Sequence, residues 1–256
     1  MFKRYVAIGD STTEGLDDPD GHGGFRGWAN RLAERLAALE PDFRYANLAV
    51  RGLTCRQIRR TQLVPALALR PDLATVVAGM NDLLRPRFHP EAFREDLLAM
   101  FGELRLQGAT VLTFTLPDLT RVAPVARPLR GRLSAMNVLI RESAQRTGVL
   151  LADLALHPVA ADPRLWSDDR LHANSLGHAR VAEALADALQ LPGADPHWTL
   201  PLPDASPRPT RARAAAELAW VRGHFAPWVW RHLRRRSSGD GRVAKRPALT
   251  PFRPES

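Results

Sequence analysis

Cysteine is almost absent from this chain, which has Cys55 as its single cysteine in 256 residues. An intrachain disulfide is therefore impossible, and nothing in the sequence suggests an oxidising compartment. The cysteine and histidine spacings resemble no zinc site, and the sequence lacks an HExxH motif. We consequently expect no metal centre.

Long apolar runs are lacking as well. The N-terminus reads Met1-Phe2-Lys3-Arg4 and continues into a short apolar segment that ends at Asp10. A signal peptide needs a longer apolar region and a small-residue cleavage site. No apolar run approaches the ~18–20 residues of a transmembrane helix. We therefore expect a cytoplasmic protein.

Lysine occurs at only two positions, Lys3 and Lys245, and neither follows a glycine. A P-loop requires a lysine directly after glycine, so that nucleotide-binding motif is excluded. The GxSxG elbow of the α/β-hydrolases is excluded too, because Thr13 stands where its second glycine would be.

The net charge of +9 is unevenly distributed along the chain. Residues 1–193 carry 24 Lys+Arg and 22 Asp+Glu, whereas residues 194–256 carry 12 and 5. The overall composition, 45% hydrophobic and 25% charged, is typical of a globular protein. The body is thus nearly neutral, and a basic C-terminal segment supplies most of the excess charge.

Strand-like and helix-like segments alternate through residues 1–193. The predicted strands are Tyr5–Ile8, Phe43–Val50, Leu73–Ala78, Thr110–Leu116 and Val149–Leu154. The longest predicted helices are Gly27–Glu40, Pro90–Gln107, Pro128–Thr147 and Ser175–Leu191. Strands separated by helices favour a parallel sheet covered on both faces. We predict an α/β fold, a three-layer α/β/α sandwich with a five-stranded parallel sheet in flavodoxin-like order.

Residues 194–256 differ in composition from the body and form a second predicted region, rich in Pro, Arg and Trp. We predict helices at Arg211–Ala226 and Trp228–Arg236, and disorder from Ser237 onward. Four of the six tryptophans lie in this tail, namely Trp198, Trp220, Trp228 and Trp230. The favoured prediction is that the tail packs its aromatic face on the body. An amphipathic element on an anionic membrane is the second hypothesis, and a nucleic-acid or protein partner the least favoured.

Four small clusters follow predicted strands. They are Gly9-Asp10-Ser11, Gly52, Gly79-Met80-Asn81-Asp82 and Asp169-Arg170-Leu171-His172. The carboxyl ends of parallel strands meet at one edge of the sheet, so residues distant in sequence can converge there.

Convergent Ser, His and Asp have a specific use in nucleophilic catalysis. The Ser11 hydroxyl becomes a competent nucleophile only when a base such as His172 removes its proton. Asp169, three residues earlier, would orient that imidazole and stabilise the imidazolium. The oxyanion needs donors, and the Ser11 and Gly52 backbone N–H groups and the Asn81 amide are available.

These four ordered blocks resemble the SGNH hydrolases, the GDSL-type esterase and lipase family, over roughly residues 5–190. The resemblance implies Ser11 as nucleophile, Gly52 and Asn81 as oxyanion-hole donors, and Asp169 with His172 completing the triad. It also implies a three-layer fold with no metal and no organic cofactor. Thr12 replaces the leucine that usually follows the serine, a change that should alter packing beside the nucleophile more than the chemistry.

Each residue also has a structural alternative. Ser11 could be a turn or cap residue, Gly52 could serve a turn with positive φ, and Asn81 could be a turn former. Asp10 and Asp82 are expected to support the site, with Asp82 bracing its loop. His178 competes with His172, but its place one turn into a helix indicates a structural role.

The predicted function is hydrolysis of small or medium acyl esters through an acyl-enzyme on Ser11. An acyltransferase on the same triad is one alternative, and a membrane or nucleic-acid binding protein acting through its tail is another. The expected partner is a small-molecule ester, with the membrane contact of the tail as an addition and a monomer as the default state.

Overall fold

The computed structural model describes residues 1–203, 223, 239 and 241–253. Its strands are β1 (Arg4–Gly9), β2 (Arg44–Asn47), β3 (Leu73–Val77), β4 (Thr110–Phe114), β5 (Leu150–Ala152) and β6 (Arg246–Pro251). Its helices are α1 (Ser11–Glu14), α2 (Gly27–Leu39), α3 (Cys55–Ala68), α4 (Met80–Leu83), α5 (Pro90–Leu106), α6 (Leu119–Val122), α7 (Arg130–Thr147) and α8 (Ser175–Ala188). Short 3-10 turns lie at Pro124–Leu129, Leu154–Leu156, Pro158–Ala161, Pro163–Leu165 and Pro196–Thr199.

The sheet has the order β5-β4-β3-β1-β2-β6. Strands β1 to β5 are all parallel to one another. Tyr5 of β1 lies opposite Tyr45 of β2 on one side and opposite Leu73 of β3 on the other. All five residues of β3 are buried, as a strand covered on both faces requires. The predicted strand order and the predicted α/β fold are therefore confirmed.

The three layers follow from the alternation of side chains along each strand. In β1, Val6 and Ile8 join an apolar cluster with residues of α3, α5 and α7. Tyr5 and Ala7 point to the opposite face and join a second cluster with α2 and α8. Successive side chains of a strand alternate between faces, so one apolar strand supplies both cores.

The sixth strand, β6, corrects the prediction of five strands and of disorder from Ser237 onward. It pairs antiparallel with β2, and Arg246 donates from Nε to the carbonyl of Tyr45 at 3.0 Å. The ring of Phe252 lies edge-on to Tyr45 with 5.3 Å between the ring centroids. An unpaired edge strand exposes a row of backbone N–H and C=O groups, and β6 satisfies them. The local composition of the tail does not predict this pairing, because Arg246 and Tyr45 are 201 positions apart in the sequence.

Trp198 is the one tail tryptophan that falls in the described residues. It is buried, and its indole N–H donates to Asp187 Oδ2 of α8 at 2.9 Å. Its ring also contacts the His157 ring at 4.6 Å between centroids. The helices predicted at Arg211–Ala226 and Trp228–Arg236, with their tryptophans, lie outside the described residues, so tail docking and the boundary at Gly193 stay predictions. Among the described residues, no helix is long and apolar enough to cross a membrane.

Candidate active site

Ser11 opens helix α1 directly after β1. The preceding residue, Asp10, caps that helix, since its Oδ1 accepts the Thr12 backbone N–H at 3.0 Å. Ser11 is 7% exposed and follows the carboxyl end of β1. Capping by Asp10 leaves the Ser11 side chain free for other partners.

The side chain of His172 lies between Ser11 and Asp169. Its Nδ1 is 2.6 Å from Asp169 Oδ2, and its Nε2 is 2.9 Å from Ser11 Oγ. When Nδ1 carries the proton and donates it to Asp169, Nε2 is left to accept the serine hydroxyl. The structure thus joins in one hydrogen-bonded chain three residues that are separated by up to 161 positions.

The loop that carries the acid and the imidazole is closed on itself. Ser167 donates its N–H to the carbonyl of His172 at 2.9 Å, and Trp166 and Ala173 form an antiparallel bridge. Asp169 Oδ1 accepts the backbone N–H groups of Leu171 and His172 at 2.8 and 3.0 Å. The Asp-x-x-His spacing works because the carboxylate folds back over its own turn.

The two groups shift one another's pKa. Burial lowers the pKa of the His172 imidazole, but the hydrogen bond and charge of Asp169 and the charges of Asp17 and Asp10 raise it more. The net shift of the His172 pKa is upward. Burial by itself would raise the pKa of Asp169, yet the His172 interactions and two backbone N–H groups hold it well below its usual range. The Asp169 carboxyl group is therefore ionised near neutral pH.

Two of the three predicted oxyanion donors are backbone N–H groups. Within the described part of the chain, neither the Ser11 nor the Gly52 N–H donates to a protein acceptor. Gly52 has a φ of 79°, the left-handed conformation that glycine adopts without strain. Both N–H groups are thus available to a substrate oxygen.

Asn81 occupies the beginning of α4, and its amide already has partners. Its Nδ2 donates to Asp10 Oδ2 and to the carbonyl of Leu53, each at 3.0 Å. These bonds hold the amide beside Asp10, which precedes Ser11, and beside Leu53, which follows Gly52. A substrate oxyanion would share or replace one of them.

The predicted supporting carboxylates, Asp10 and Asp82, are both removed from water enough for burial to raise their pKa values. Burial raises the pKa of Asp10 in spite of its bonds to Thr12 and Asn81. Burial, followed by the neighbouring charge of Asp10, raises the pKa of Asp82 to about 6, although the Cys55 N–H donates to it. The Asp82 carboxylate is 2.9 Å from that N–H and so ties the Asn81 loop to the first turn of α3.

His178, the competing histidine, is 1% exposed and fully engaged in the protein interior. Its Nδ1 accepts the Trp28 N–H at 3.1 Å, and its Nε2 donates to the carbonyl of Leu16 at 2.9 Å. Burial lowers its pKa to about 4. It joins the starts of α2 and α8 to the loop after α1, and its ring has no nitrogen left for Ser11.

Sequence reasoning missed Asp17, Ser167 and the pair of Glu14 with Arg51. Asp17 Oδ2 lies 3.8 Å from His172 Nδ1, and Ser167 Oγ lies 2.7 Å from Asp169 Oδ1. Glu14 binds both the side chain and the backbone N–H of Arg51, the neighbour of Gly52. No spacing rule signals these contacts, because each depends on how two loops pack against each other.

An apolar cavity of about 60 Å³ lies beside the turns that carry Ser11, Asn81 and His172. Its lining includes Thr12, Met80, Leu171 and Ala173, which are direct sequence neighbours of Ser11, Asn81 and His172. Phe114 and Trp166 also line it. Such a space can receive a small apolar group attached to a carbonyl at Ser11.

Asp17, Asp169 and His172 also place one potential ligand atom each within 4.8 Å of one another, so among the described residues this group could hold a metal ion. A cation on His172 Nδ1 would displace the 2.6 Å bond to Asp169 that orients the ring. The short contact favours a hydrogen-bonded cluster over a ligand set.

A serine, an imidazole and a carboxylate in hydrogen-bond sequence at the carboxyl edge of a parallel sheet are the arrangement that serine hydrolases use. The family is given by comparison: residues 7–180 match the GDSL-like lipase/acylhydrolase family, and the chain belongs to it. It is accordingly an SGNH-type carboxylic ester hydrolase.

Individual relatives are distant. An acetylxylan esterase of Geobacillus stearothermophilus is 23% identical over 207 residues, 71% of this chain and 91% of that protein. A GDSL-like esterase of Mycobacterium tuberculosis is 27% identical over 200 residues, 72% of this chain, and the match spans 61% of that esterase's length.

Solved structures show the same fold. The acetylxylan esterase Axe2 of Geobacillus stearothermophilus superimposes with a TM-score of 0.62 at 19% identity, covering 76% of this chain and 97% of its own. The hydrolase LAE5 from the metagenome of Lake Arreo gives 0.61 at 24% identity, covering 73% and 95%. At this identity the likeness is one of fold.

Proposed function

We propose that the chain hydrolyses small or medium acyl esters through an acyl-enzyme on Ser11. The observation that carries the proposal is the hydrogen-bonded chain from Ser11 Oγ through His172 to Asp169. His172 Nε2 accepts the serine proton as Oγ attacks the acyl carbonyl, and returns it to the leaving alkoxide. Water then attacks the acyl-enzyme, His172 again acting as base, and the acid product leaves with Ser11 restored.

The developing oxyanion would be held by the N–H groups of Ser11 and Gly52 and by the Asn81 amide. The two backbone donors make no competing bond among the described residues, and the amide is oriented by Asp10 and Leu53. Preorganised donors of this kind stabilise charge that appears only in the transition state. Asp169 would stabilise the imidazolium that forms at the same time.

The acyl group is proposed to enter the apolar cavity beside Ser11. A volume of about 60 Å³ fits a short acyl group better than a long fatty chain. An acetylxylan esterase of Geobacillus stearothermophilus is similar both in sequence and in fold, which makes acetyl esters of sugars the first natural substrates to test. A thioester or a phospholipid is the less favoured substrate.

The decisive experiment measures hydrolysis of p-nitrophenyl esters of graded acyl length by wild type and Ser11→Ala. We expect activity greatest for the shortest acyl groups and lost in Ser11→Ala. Ser134→Ala, a matched change at an exposed position on α7, should leave activity unchanged. Wild-type rates in Ser11→Ala would sink the mechanism, and an optimum at long chains would contradict the acyl cavity.

Two other functions stay open to the same assays. An acyltransferase would transfer the acyl group to an added alcohol in preference to water, which product analysis detects. Binding of anionic vesicles or DNA through the basic tail would weaken steeply with salt. The cytoplasmic location and the monomeric state stay predictions.

A further inference from the structure

Ser167 connects two carboxylates beside the imidazole. Its hydroxyl oxygen is 2.6 Å from Asp17 Oδ2 and 2.7 Å from Asp169 Oδ1. Asp17 belongs to the loop after α1 and lies 150 positions from Ser167. A serine hydroxyl has one hydrogen, so it can donate to only one of these two acids at a time.

The position of Asp17 is fixed from both sides. The preceding residue, Leu16, has its carbonyl bound by His178 Nε2 at 2.9 Å. The following residue, Asp18, is 1% exposed and binds Arg31 through two hydrogen bonds of 2.8 and 2.9 Å. Asp17 itself has a φ of 65°, an uncommon conformation for a residue other than glycine. Residues held in such conformations concentrate at functional sites.

The carboxylate of Asp17 approaches His172 from the side of Nδ1, the ring nitrogen that Asp169 also contacts. Its Oδ2 is 3.8 Å from His172 Nδ1, while Asp169 Oδ2 is 2.6 Å away. The Asp17 side chain is 38% exposed, so it can be changed without leaving a buried hole. Two acids therefore face the same ring nitrogen, one in direct contact and one behind it.

We propose that Asp17 is a positioning residue for the reaction, a second carboxylate that stabilises the His172 imidazolium, with the Ser167 hydroxyl between the two acids donating to one or the other. Asp169 makes the direct bond, and Asp17 adds charge from the opposite loop. The inference rests on the proposed roles of Ser11, His172 and Asp169.

Other ionisable groups also act on His172, so the test must separate the effect of Asp17 on the His172 pKa from theirs. Asp169 lies on its own loop, Asp10 on the nucleophile turn, and Asp17 on the loop after α1. His178 faces it from α8 but is neutral near pH 7, because burial lowers its pKa to about 4. Of the three acids, Asp17 is the one whose removal spares both the direct bond to the ring and the cap of α1.

The test is an NMR titration of the His172 ring in wild type, Asp17→Asn and Asp168→Asn. Asparagine tolerates the left-handed conformation, so Asp17→Asn should fold. We expect the His172 pKa to fall by about half a unit to one unit in Asp17→Asn, since it loses an opposite charge within ~4–6 Å. Asp168→Asn, an acid-to-amide change at the exposed residue before Asp169, should leave the His172 pKa unchanged.

Kinetics supply the second readout. The acid limb of the kcat/KM profile should move to lower pH by the same amount in Asp17→Asn, with a several-fold lower kcat. Ser167→Ala should lower kcat in the same direction, and Ser167→Thr, which keeps a hydroxyl, should restore it. A His172 pKa in Asp17→Asn equal to that of wild type would overturn the proposal.

The titration also separates this inference from the proposed function. It reads the imidazole directly and needs no turnover, with the His172 signal assigned by its loss in His172→Gln. If Ser11→Ala keeps wild-type esterase activity, the mechanism fails while the titration still reports whether Asp17 acts on the ring.

Discussion

Glu14 and Arg51 join the turn that begins at Ser11 to the turn at Gly52. The carboxylate of Glu14 accepts the Arg51 backbone N–H at 2.9 Å and the guanidinium Nε at 3.0 Å, and it also binds Nη2. Both side chains are close to buried, with 12 and 13% exposed. The Arg51 guanidinium also lies over the Phe25 ring, 5.2 Å from its centroid. The last residue of α1 thereby holds Arg51, the neighbour of Gly52, against the turn that begins at Ser11.

Glu14→Gln should lower both stability and turnover. Removing one partner of a nearly buried pair leaves an uncompensated charge, at a cost of about 3 kcal/mol in the free energy of unfolding. The Gly52 turn should shift as well, and kcat should fall more than KM changes. Urea denaturation and steady-state kinetics check this. Glu34→Gln breaks the more exposed pair with Arg26 and should cost less than about 1 kcal/mol. Equal effects in the two variants would contradict the special role of Glu14.

Asn81→Ala should reduce kcat by about 10²–10³, the typical loss for one oxyanion donor. It also frees the buried Asp10 Oδ2, which now accepts the amide at 3.0 Å. Asn81→Asp keeps the shape but presents no amide hydrogens, so it should be at least as slow. Stopped assays on an acetyl ester measure both. An Asn81→Ala enzyme with wild-type kcat would remove Asn81 from the oxyanion hole.

Asp169→Asn should change both the rate and its pH dependence. The base works as neutral imidazole, so kcat/KM of the wild type rises as pH increases through the raised His172 pKa. Asparagine removes the bond and charge that raise this pKa, while burial, which lowers it, remains. The acid limb should therefore move to lower pH, and the plateau should fall by about 10³–10⁴. A limb that moves to higher pH would contradict the assignment of Asp169.

His178 should make stability depend on pH. Its pKa is lowered to about 4 by burial, so between its unfolded pKa and this value only the unfolded chain binds the proton. The contribution of neutral His178 to the free energy of unfolding is thus complete above about pH 6.5. It is lost as pH falls to about 4, and amounts to about 3 kcal/mol in all. Asp82, with a pKa of about 6, acts in the opposite sense in the same window but is common to wild type and variant.

The difference in unfolding free energy between wild type and His178→Gln should accordingly shrink from about pH 7 to about pH 4.5. Urea denaturation across that range measures it. His89→Gln, the same change at an exposed position before α5, is the matched control. A gap between wild type and His178→Gln that is independent of pH would mean that His178 does not titrate in this window.

Gly239→Ala should loosen the C-terminal strand. A Cβ on Gly239 would lie 2.1 Å from the carbonyl oxygen of Arg51, a contact that backbone movement alone can relieve. We expect faster hydrogen exchange in β6, and a lower kcat if the Gly52 turn moves with Arg51. Gly102→Ala in α5 meets nothing within 4 Å and should be neutral or stabilising by up to about 1 kcal/mol. Unchanged exchange in β6 would show that Gly239 does not hold the strand.

The sequence by itself determined the five parallel strands and the residues of the Ser11, Asn81 and His172 clusters that lie at their carboxyl edge. Short β-branched strands between amphipathic helices leave few packings other than a parallel sheet with two covered faces. Because such strands end at one edge, Ser11, Asn81, Asp169 and His172 could be expected to converge. The structure joins Ser11, His172 and Asp169 by hydrogen bonds and bonds Asn81 to Asp10, the residue before Ser11. Their catalytic roles stay predictions until the variants are measured.

Only the tertiary structure decided what surrounds those residues. The contacts of Asp17 with Ser167 and of Glu14 with Arg51 join loops that no spacing rule connects. β6 forms because β2 leaves an unpaired edge, and nothing in the local sequence of Arg246–Pro251 announces a partner at Arg44–Asn47. Local propensity fixes elements over a few residues, whereas loop packing and edge pairing depend on groups that meet only after the sheet has formed.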